Sequence, residues 1–146
     1  MVGFRPGVKH FFNFLYFIFA TNICGFYLAQ LVSALAPSAA VAVTIFPTIV
    51  LFFLGFAGYV IYIPDFPTFL RVWGPWIGFC RYAFQGLTLN EFQNNPNLPY
   101  SEFWLTEVLG FNTLTMMQCG GIMIAFMLLI ALLHLCALKC INFERR

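Results

Sequence analysis

The stretch 63–92, IPDFPTFLRVWGPWIGFCRYAFQGLTLNEF, determines how the rest of the chain is interpreted. It is aromatic and mostly apolar, yet it contains Asp65, Arg71, Arg81 and Glu91 and three prolines. It is too charged for hydrocarbon and too apolar for an ordinary loop in water. Segments of this kind lie at the membrane interface or dip partway into the bilayer, with tryptophan at headgroup level. The stretch therefore predicts a structure built at one mouth of a membrane domain.

The composition of the chain indicates a membrane protein. Of its 146 residues, 62% are hydrophobic and only 8% are charged, whereas soluble domains average about 25% charged residues. The formal net charge of +2 and the lack of a basic run in the sequence argue against nucleic acid as a partner. Membrane lipid is the expected surrounding.

Three apolar segments, 11–35, 41–62 and 117–138, are long enough to cross a bilayer. At about 1.5 Å per residue, each exceeds the hydrocarbon core of about 30 Å. The first two are joined by a turn of a few residues and should form an antiparallel hairpin. The segment 63–116 is predicted to stay on one side of the membrane, with a short surface helix near Glu102 and Glu107. These features predict an all-α membrane fold.

Two helix faces are candidates for contacts. On the first span, Gly25, Ala29 and Ser33 recur every four residues, which favours close approach of another helix, although a lipid-facing helix with incidental small residues has the same pattern. On the second span, Pro47 should kink the helix. A smooth, weakly polar stripe on that span either lines a substrate route or packs against a neighbour; it consists of Thr44, Pro47, Leu51, Gly55 and Gly58.

The cysteines have no metal-ligand spacing in the sequence. Cys24 and Cys136 lie inside apolar spans and are expected to be buried, inert thiols. Cys80 and Cys119 flank the same polar region and could form a disulfide if that side is oxidising. Cys140 lies at a helix end and is a candidate for S-acylation.

Enzyme and carrier signatures are missing from the sequence. It has no Gly-rich phosphate loop ending in Lys-Ser/Thr, no HExxH and no CxxC. Asp, Glu, Lys and Arg are all absent from the three spans, which weakens a proton- or ion-coupled carrier. His134 is expected to be hydrogen-bonded within a helix bundle rather than to be a ligand or proton carrier. The chain is therefore not expected to be an enzyme or to bind a metal.

The basic residues at the two ends of the chain predict opposite orientations in the membrane. Lys139, Arg145 and Arg146 indicate a cytosolic C-terminus by the positive-inside rule. Three crossings then place the N-terminus outside, although Arg5 and Lys9 favour the cytosol there. The conflict disappears if earlier helices set the topology, so we expect the chain to be a fragment of a longer protein.

Four segments resemble the membrane domain of G-subfamily ABC exporters, the group of the White pigment transporters, sterol and drug half-transporters and pleiotropic-drug-resistance pumps. They are GFRPGVKHFFNF (3–14), LVSALAPS (31–38), GFAGYVIYIP (55–64) and RYAFQGLTLNEF (81–92). The resemblance covers nearly the whole chain, and its most specific part is the run Arg-Tyr-x-Phe to Asn-Glu-Phe. It implies that the three spans are the last three of a six-helix exporter domain in the plasma membrane. The stretch 63–92 is then an external re-entrant helical hairpin.

The resemblance also implies roles for individual residues. Members of this family bind lipophilic substrates in a slit on a dimer axis, and its positions fall on Pro47, Leu51 and Leu54. A hydrophobic plug above the slit falls on Tyr59 and Val60. The re-entrant lid contains Arg71, Trp73, Arg81, Tyr82, Asn90, Glu91 and Phe92. Arg71 and Arg81 would point either to the water-exposed mouth or to Glu91 as an ion pair.

The partners implied by the resemblance are a homo- or heterodimeric second copy, a lipid, sterol, pigment or drug substrate, and the missing N-terminal half. That half would carry the first three helices and the ATP-hydrolysing domain, where ATP and Mg would bind; no cofactor is expected in this chain. The sequence departs from the family at Tyr59-Val60, where two aliphatic residues are usual, and by one further residue between Gly58 and Trp73. The alternative is a non-transporting structural or assembly subunit of a larger membrane complex.

Overall fold

The computed structural model describes residues 6–58, 60–61, 65–93, 95, 100–111 and 114–140. These residues are mainly helical, and no β-strand occurs among them, so the all-α prediction is confirmed. The helices are α1 (Val8–Leu35), α2 (Ala39–Gly55), α3 (Thr68–Ile77), α4 (Phe79–Phe92), α5 (Ser101–Phe103), which continues into a π-helical turn (Trp104–Val108), and α6 (Met116–Cys140).

The turn between α1 and α2 follows from local sequence. Ala36 precedes a proline and adopts extended backbone, which ends α1 because the residue before proline avoids the helical region. Ser38 then caps α2, its hydroxyl accepting a hydrogen bond from the Val41 amide at 3.4 Å. The short turn gives the expected helical hairpin.

Helix α2 is shorter than the second predicted span. It ends at Gly55, whereas the prediction continued to residue 62, and Gly58 follows in a left-handed conformation with φ of +84°. Glycine adopts this conformation without steric cost and commonly terminates a helix. Residues 62–64 lie outside the described part of the chain.

A capping box starts α6. The Thr115 hydroxyl accepts from the backbone N–H of Gln118 at 3.4 Å. In return, the side-chain Oε1 of Gln118 accepts from the backbone N–H of Thr115 at 2.9 Å. This reciprocal pair satisfies two amides that the first turn would leave unpaired. It fixes where the third apolar segment becomes helical.

The core lies where α1, α4 and α6 meet. Phe17 of α1 is 2% exposed and packs against Gly86 of α4, while Cys24 and Met123 are fully buried. The Tyr16 hydroxyl donates to the Gly120 carbonyl at 2.8 Å, and the Cys24 thiol donates to the Met123 carbonyl at 3.8 Å. The contacts advance in the same direction along both helices, from Tyr16–Gly120 to Cys24–Met123, so the two helices run parallel.

Of the described helices, α1 and α6 are long and apolar enough to cross a membrane, while α2, with 17 residues, is apolar but shorter. Few of their residues are buried within the chain: four in α1, five in α6 and none in α2. Helices with so much exposed apolar surface need lipid or further protein around them.

Two expectations about single residues are wrong. Cys136 is exposed rather than buried, because it lies on the outward face of α6. His134 is half-buried, and its Nδ1 atom has no hydrogen-bond partner in the structure. Cys24 is buried as expected.

Candidate functional site

A cavity of about 740 Å³ opens between α1 and α2, with the first turn of α4 at one end. All three residues of the predicted slit, Pro47, Leu51 and Leu54, line this cavity. Leu51 and Leu54 are 68% and 39% exposed, so both side chains are available to an occupant. The volume lies in the range of about 300–1,000 Å³ that is usual for small-molecule sites. The remaining lining residues are Thr21, Asn22, Gly25, Phe26, Ala29, Phe46, Val50, Phe79 and Cys80.

The small-residue face of α1 forms the opposite wall of this cavity. Gly25 and Ala29 line it, and a Cβ atom added at Gly25 would meet no atom within 4 Å. The close helix contact predicted for this face is therefore not made by α2. The small side chains leave open space instead, with Asn22 and Thr21 as the polar groups at its edge.

The end of α2 docks on α3 and on the junction between α3 and α4 through two glycines. A Cβ atom at Gly74 would lie 2.6 Å from the Phe56 ring, and one at Gly78 would lie 3.3 Å from the Phe53 side chain. Phe56 also lies 6.0 Å from Trp73, centroid to centroid. These contacts hold the predicted lid beside the cavity. Of the predicted plug, Val60 is 66% exposed, and Tyr59 lies outside the described residues.

Arg81, a predicted lid residue, is buried. It is 3% exposed, and its guanidinium carbon lies 4.3 Å from the centroid of the Trp76 ring. It therefore does not point to the water-exposed mouth. An ion pair with Glu91 is also excluded, since ten residues of continuous helix separate them by about 15 Å. Arg71 is exposed.

Burial changes the acid–base properties of the first turn of α4. Desolvation lowers the pKa of the Arg81 guanidinium and raises the pKa of the neighbouring Tyr82 phenol. It also raises the pKa of the Cys80 thiol to about 11, so this thiol is protonated at neutral pH. Cys80 and Cys119 are both free and buried, and the disulfide considered from the sequence is not formed.

The other end of α4 is fastened to the start of α1 by Asn90. Its Oδ1 atom accepts from Nδ1 of His10 at 3.2 Å and from the Asn13 amide at 3.4 Å, and its own amide donates to the His10 carbonyl at 3.1 Å. The same amide donates to the Glu91 carboxylate at 3.2 Å. Asn90 is 2% exposed. Asn90, a predicted lid residue, thus joins α4 to α1, and Phe92 packs against the same core.

Sequence reasoning missed several residues of these sites. His10 and Asn13 had no assigned role, although polar groups near the start of an apolar span are natural partners for a buried amide. Phe79 and Cys80 line the cavity from a helix that was treated only as a lid. Gln85 is fully buried with an unpaired Oε1 atom, and nothing in its sequence context distinguishes it from a surface glutamine.

Known proteins place this chain in a family. Residues 1–92 match the model of the ABC-2 type transporter family. The chain is 28% identical over 123 residues to Protein white of Drosophila melanogaster, covering 77% of this chain and 18% of that protein. It is 35% identical over 85 residues to ABC transporter G family member 1 of Dictyostelium discoideum, covering 58% of this chain and 10% of that protein.

A third relative matches along the whole chain. ABC transporter G family member 32 of Oryza sativa subsp. japonica is 27% identical to it, and the match covers 100% of this chain and 10% of that protein. The chain spans less than a fifth of the length of these relatives. The chain belongs to the ABC-2 type transporter family, as a membrane domain of the kind found in G-group ABC transporters.

Proposed function

We propose that this chain is the C-terminal half of the membrane domain of an ATP-driven exporter of lipophilic molecules. The cavity between α1 and α2 would form part of its substrate route. The observation that supports the proposal is that the three residues assigned to a slit, Pro47, Leu51 and Leu54, line one cavity together with the small-residue face of α1. Pro47 and Leu51 also fall on one stripe by their spacing, whereas Leu54 is assigned by family resemblance alone. Helices of the missing half or of a second copy would complete its walls.

The arrangement supports a simple transport cycle. The apolar lining favours a lipophilic molecule over a charged one, because an ion would lose its hydration without a compensating partner. Closure of the cytosolic side, driven by ATP and Mg bound in a domain elsewhere in the protein, would narrow the cavity. The molecule would then pass Tyr59-Val60 and leave beneath the hairpin of α3 and α4. The C-terminus of α6 would lie in the cytosol and the chain in the plasma membrane.

The leucines of the cavity provide the test. Replacing Leu51 and Leu54 together with Ala in the full-length protein removes apolar contact area worth about 1–2 kcal/mol to a ligand that touches both. We expect the apparent affinity for a lipophilic substrate, measured by substrate-stimulated ATP hydrolysis in proteoliposomes, to fall by roughly 5- to 30-fold. The matched control is Val43→Ala, since Val43 is 73% exposed on the same helix but does not line the cavity.

Unchanged affinity and turnover in the double variant, with Val43→Ala as reference, would refute the slit assignment. The alternative is a structural subunit; no residue of α2 is buried within the chain, so α2 needs a covering partner under both hypotheses. In a structural subunit, the double variant would lower recovery of the assembled complex and leave substrate-stimulated ATP hydrolysis per complex unchanged.

A further inference from the structure

Asn22 places an amide group at the middle of a helix that is long enough to span the membrane. It is the fifteenth of the 28 residues of α1, about 20 Å from either end. Its side chain is exposed and lines the cavity between α1 and α2. At that depth neither water nor lipid tails can pair with an amide, so an unpaired polar atom is costly there. The amide of Asn22 therefore needs a hydrogen-bonding partner that reaches the cavity.

The side-chain oxygen of Asn22 is the atom that lacks a partner. The amide nitrogen donates to the Ile18 carbonyl at 2.8 Å, one turn earlier in α1, which holds the side chain in a fixed orientation. No described residue donates to its Oδ1 atom. The neighbouring Thr21 hydroxyl cannot do so, because it donates to the Phe17 carbonyl at 2.7 Å. The cavity thus presents an oriented hydrogen-bond acceptor.

The size of the cavity fits a small molecule better than another helix. The part of α1 that lines it runs from Thr21 to Ala29, about 12 Å along the helix axis. A helix about 10 Å across would fill roughly 900 Å³ over that length. The cavity measures about 740 Å³. A ligand of moderate size is therefore a better match for the partner of Asn22 than a helix of the missing half.

The lining also determines where the polar group of such a ligand lies. Thr21 and Asn22 are the first residues of α1 to line the cavity, and the later ones, Gly25, Phe26 and Ala29, are apolar. The residues of α2 that line the opposite wall have no polar side chain either. The cavity therefore suits a molecule with an apolar body and one polar group at its end.

We propose that Asn22 selects lipophilic molecules that carry a hydroxyl group, by accepting a hydrogen bond from that group at Oδ1. The inference rests on the proposed function, because it takes the cavity to be the substrate route. An ether of the same skeleton cannot donate, so it leaves Oδ1 unpaired and binds more weakly. An amine would donate too, but it enters as a cation, and nothing in the described lining compensates the loss of its hydration.

The test compares an alcohol with its methyl ether. The full-length protein in lipid nanodiscs is heated with increasing concentrations of farnesol or farnesyl methyl ether, and the rise of the unfolding midpoint gives an apparent Kd for each. We expect wild type to bind farnesol roughly tenfold more tightly, the fold-change that corresponds to one net hydrogen bond. Asn22→Leu keeps the size of the side chain and removes the acceptor. It should abolish this preference by weakening the binding of farnesol but not that of the ether.

Two further variants make the result specific. Gln30→Leu makes the same polar-to-apolar change on α1 at a half-buried residue that does not line the cavity, and it should keep the preference of wild type. Asn22→Ala also removes the acceptor, and it decides the question if leucine at this position disturbs folding. A structural role of Asn22 would change the binding of both compounds together, whereas the proposal requires a change in their ratio.

Three results would overturn the proposal. The first is that wild type does not prefer farnesol, whether it binds both compounds equally or neither. The second is a preference that survives Asn22→Leu and Asn22→Ala. The third is that Asn22→Leu lowers the midpoint without ligand and weakens both compounds alike, as expected if Asn22 bonds to a helix of the missing half.

The proposed function is tested separately in the same assay. Replacing Leu51 and Leu54 with Ala should weaken the binding of farnesol and of its ether together, because both residues line the apolar part of the cavity. If this double variant weakens both compounds and Asn22→Leu leaves the preference intact, the cavity remains the binding site and only the role of Asn22 is lost. If the double variant changes neither, the slit assignment itself fails.

Discussion

At the scale of single residues, glycines mark where helices touch. At Gly86 an added Cβ atom would lie 2.2 Å from Cε1 and Cζ of Phe17, whereas at Gly121 it would meet nothing within 4 Å. Phe17 is 2% exposed and belongs to the main core cluster, so its ring is enclosed by neighbouring side chains. The contact between α1 and α4 therefore requires glycine at position 86, whereas position 121 has room for a larger side chain.

Gly86→Ala is therefore expected to destabilise the protein. Overpacking a tight contact costs typically 1–3 kcal/mol, which exceeds the gain in helix propensity of about 1 kcal/mol. The measurement is the thermal unfolding midpoint in detergent. Gly121→Ala, with the same gain in propensity and no clash, should be neutral or stabilising. A midpoint for Gly86→Ala equal to that of Gly121→Ala would contradict the packing described for Phe17.

Features that follow from composition or from spacing along one helix could be predicted from the sequence, whereas features that depend on how two helices pack could not. Composition was enough to indicate the membrane, and the spacing of Pro47 and Leu51 was enough to place them on one face. The burial of Arg81 could not be predicted, because it depends on how α4 is rotated against α6. Helical periodicity fixes which residues share a face but not which neighbour that face meets. The hydrogen bond between Asn90 and His10 could not be predicted for the same reason, because the two residues are 80 positions apart in the sequence.

At the scale of elements, α4 is the connector of the structure. Its first turn lines the cavity, its middle packs Gly86 on α1, and its last turn binds the start of α1 through Asn90. The sequence identified α4 as the most specific part of the chain but assigned it only to a lid. The boundaries of α1 and α6 were predictable from apolar length, whereas α2 ends at Gly55, before the apolar segment does, and Gly58 then adopts a left-handed conformation that hydropathy does not encode.

Asn90→Ala should loosen the contact between α1 and α4. It removes the hydrogen bonds to His10 and Asn13 and leaves the part-buried His10 carbonyl without this donor, at a cost of about 1–3 kcal/mol. We expect a lower unfolding midpoint and faster amide exchange in the last turn of α4. Asn22→Ala is the matched control for stability, because the Asn22 amide bonds only to the Ile18 carbonyl of its own helix at an exposed position. Equal stability of the two variants would show that Asn90 does not fasten α4.

At the scale of the whole molecule, the parallel course of α1 and α6 constrains the topology. Two parallel helices that both cross a bilayer need one return crossing between them. The apolar helix that the structure describes between them is α2, whose 17 residues extend about 26 Å. This is slightly less than the core of about 30 Å, so the turn after Gly55 must also lie in or near the membrane. The shortness of α2 is therefore compatible with three crossings.

Labelling of introduced cysteines tests this topology. In a background with Cys136 and Cys140 changed to Ser, the remaining thiols Cys24, Cys80 and Cys119 are buried. With three crossings, Glu102→Cys near the start of α6 should react with a membrane-impermeant maleimide on intact cells. Ser38→Cys, in the turn between α1 and α2, should react only after permeabilisation, because α1 carries the chain across before this turn. Both positions are exposed in the structure, so lack of labelling reports the membrane rather than burial. Labelling of both positions on intact cells would mean that α2 does not cross, because α2 is the apolar helix between them, and labelling of Ser38→Cys alone would mean that the orientation is reversed.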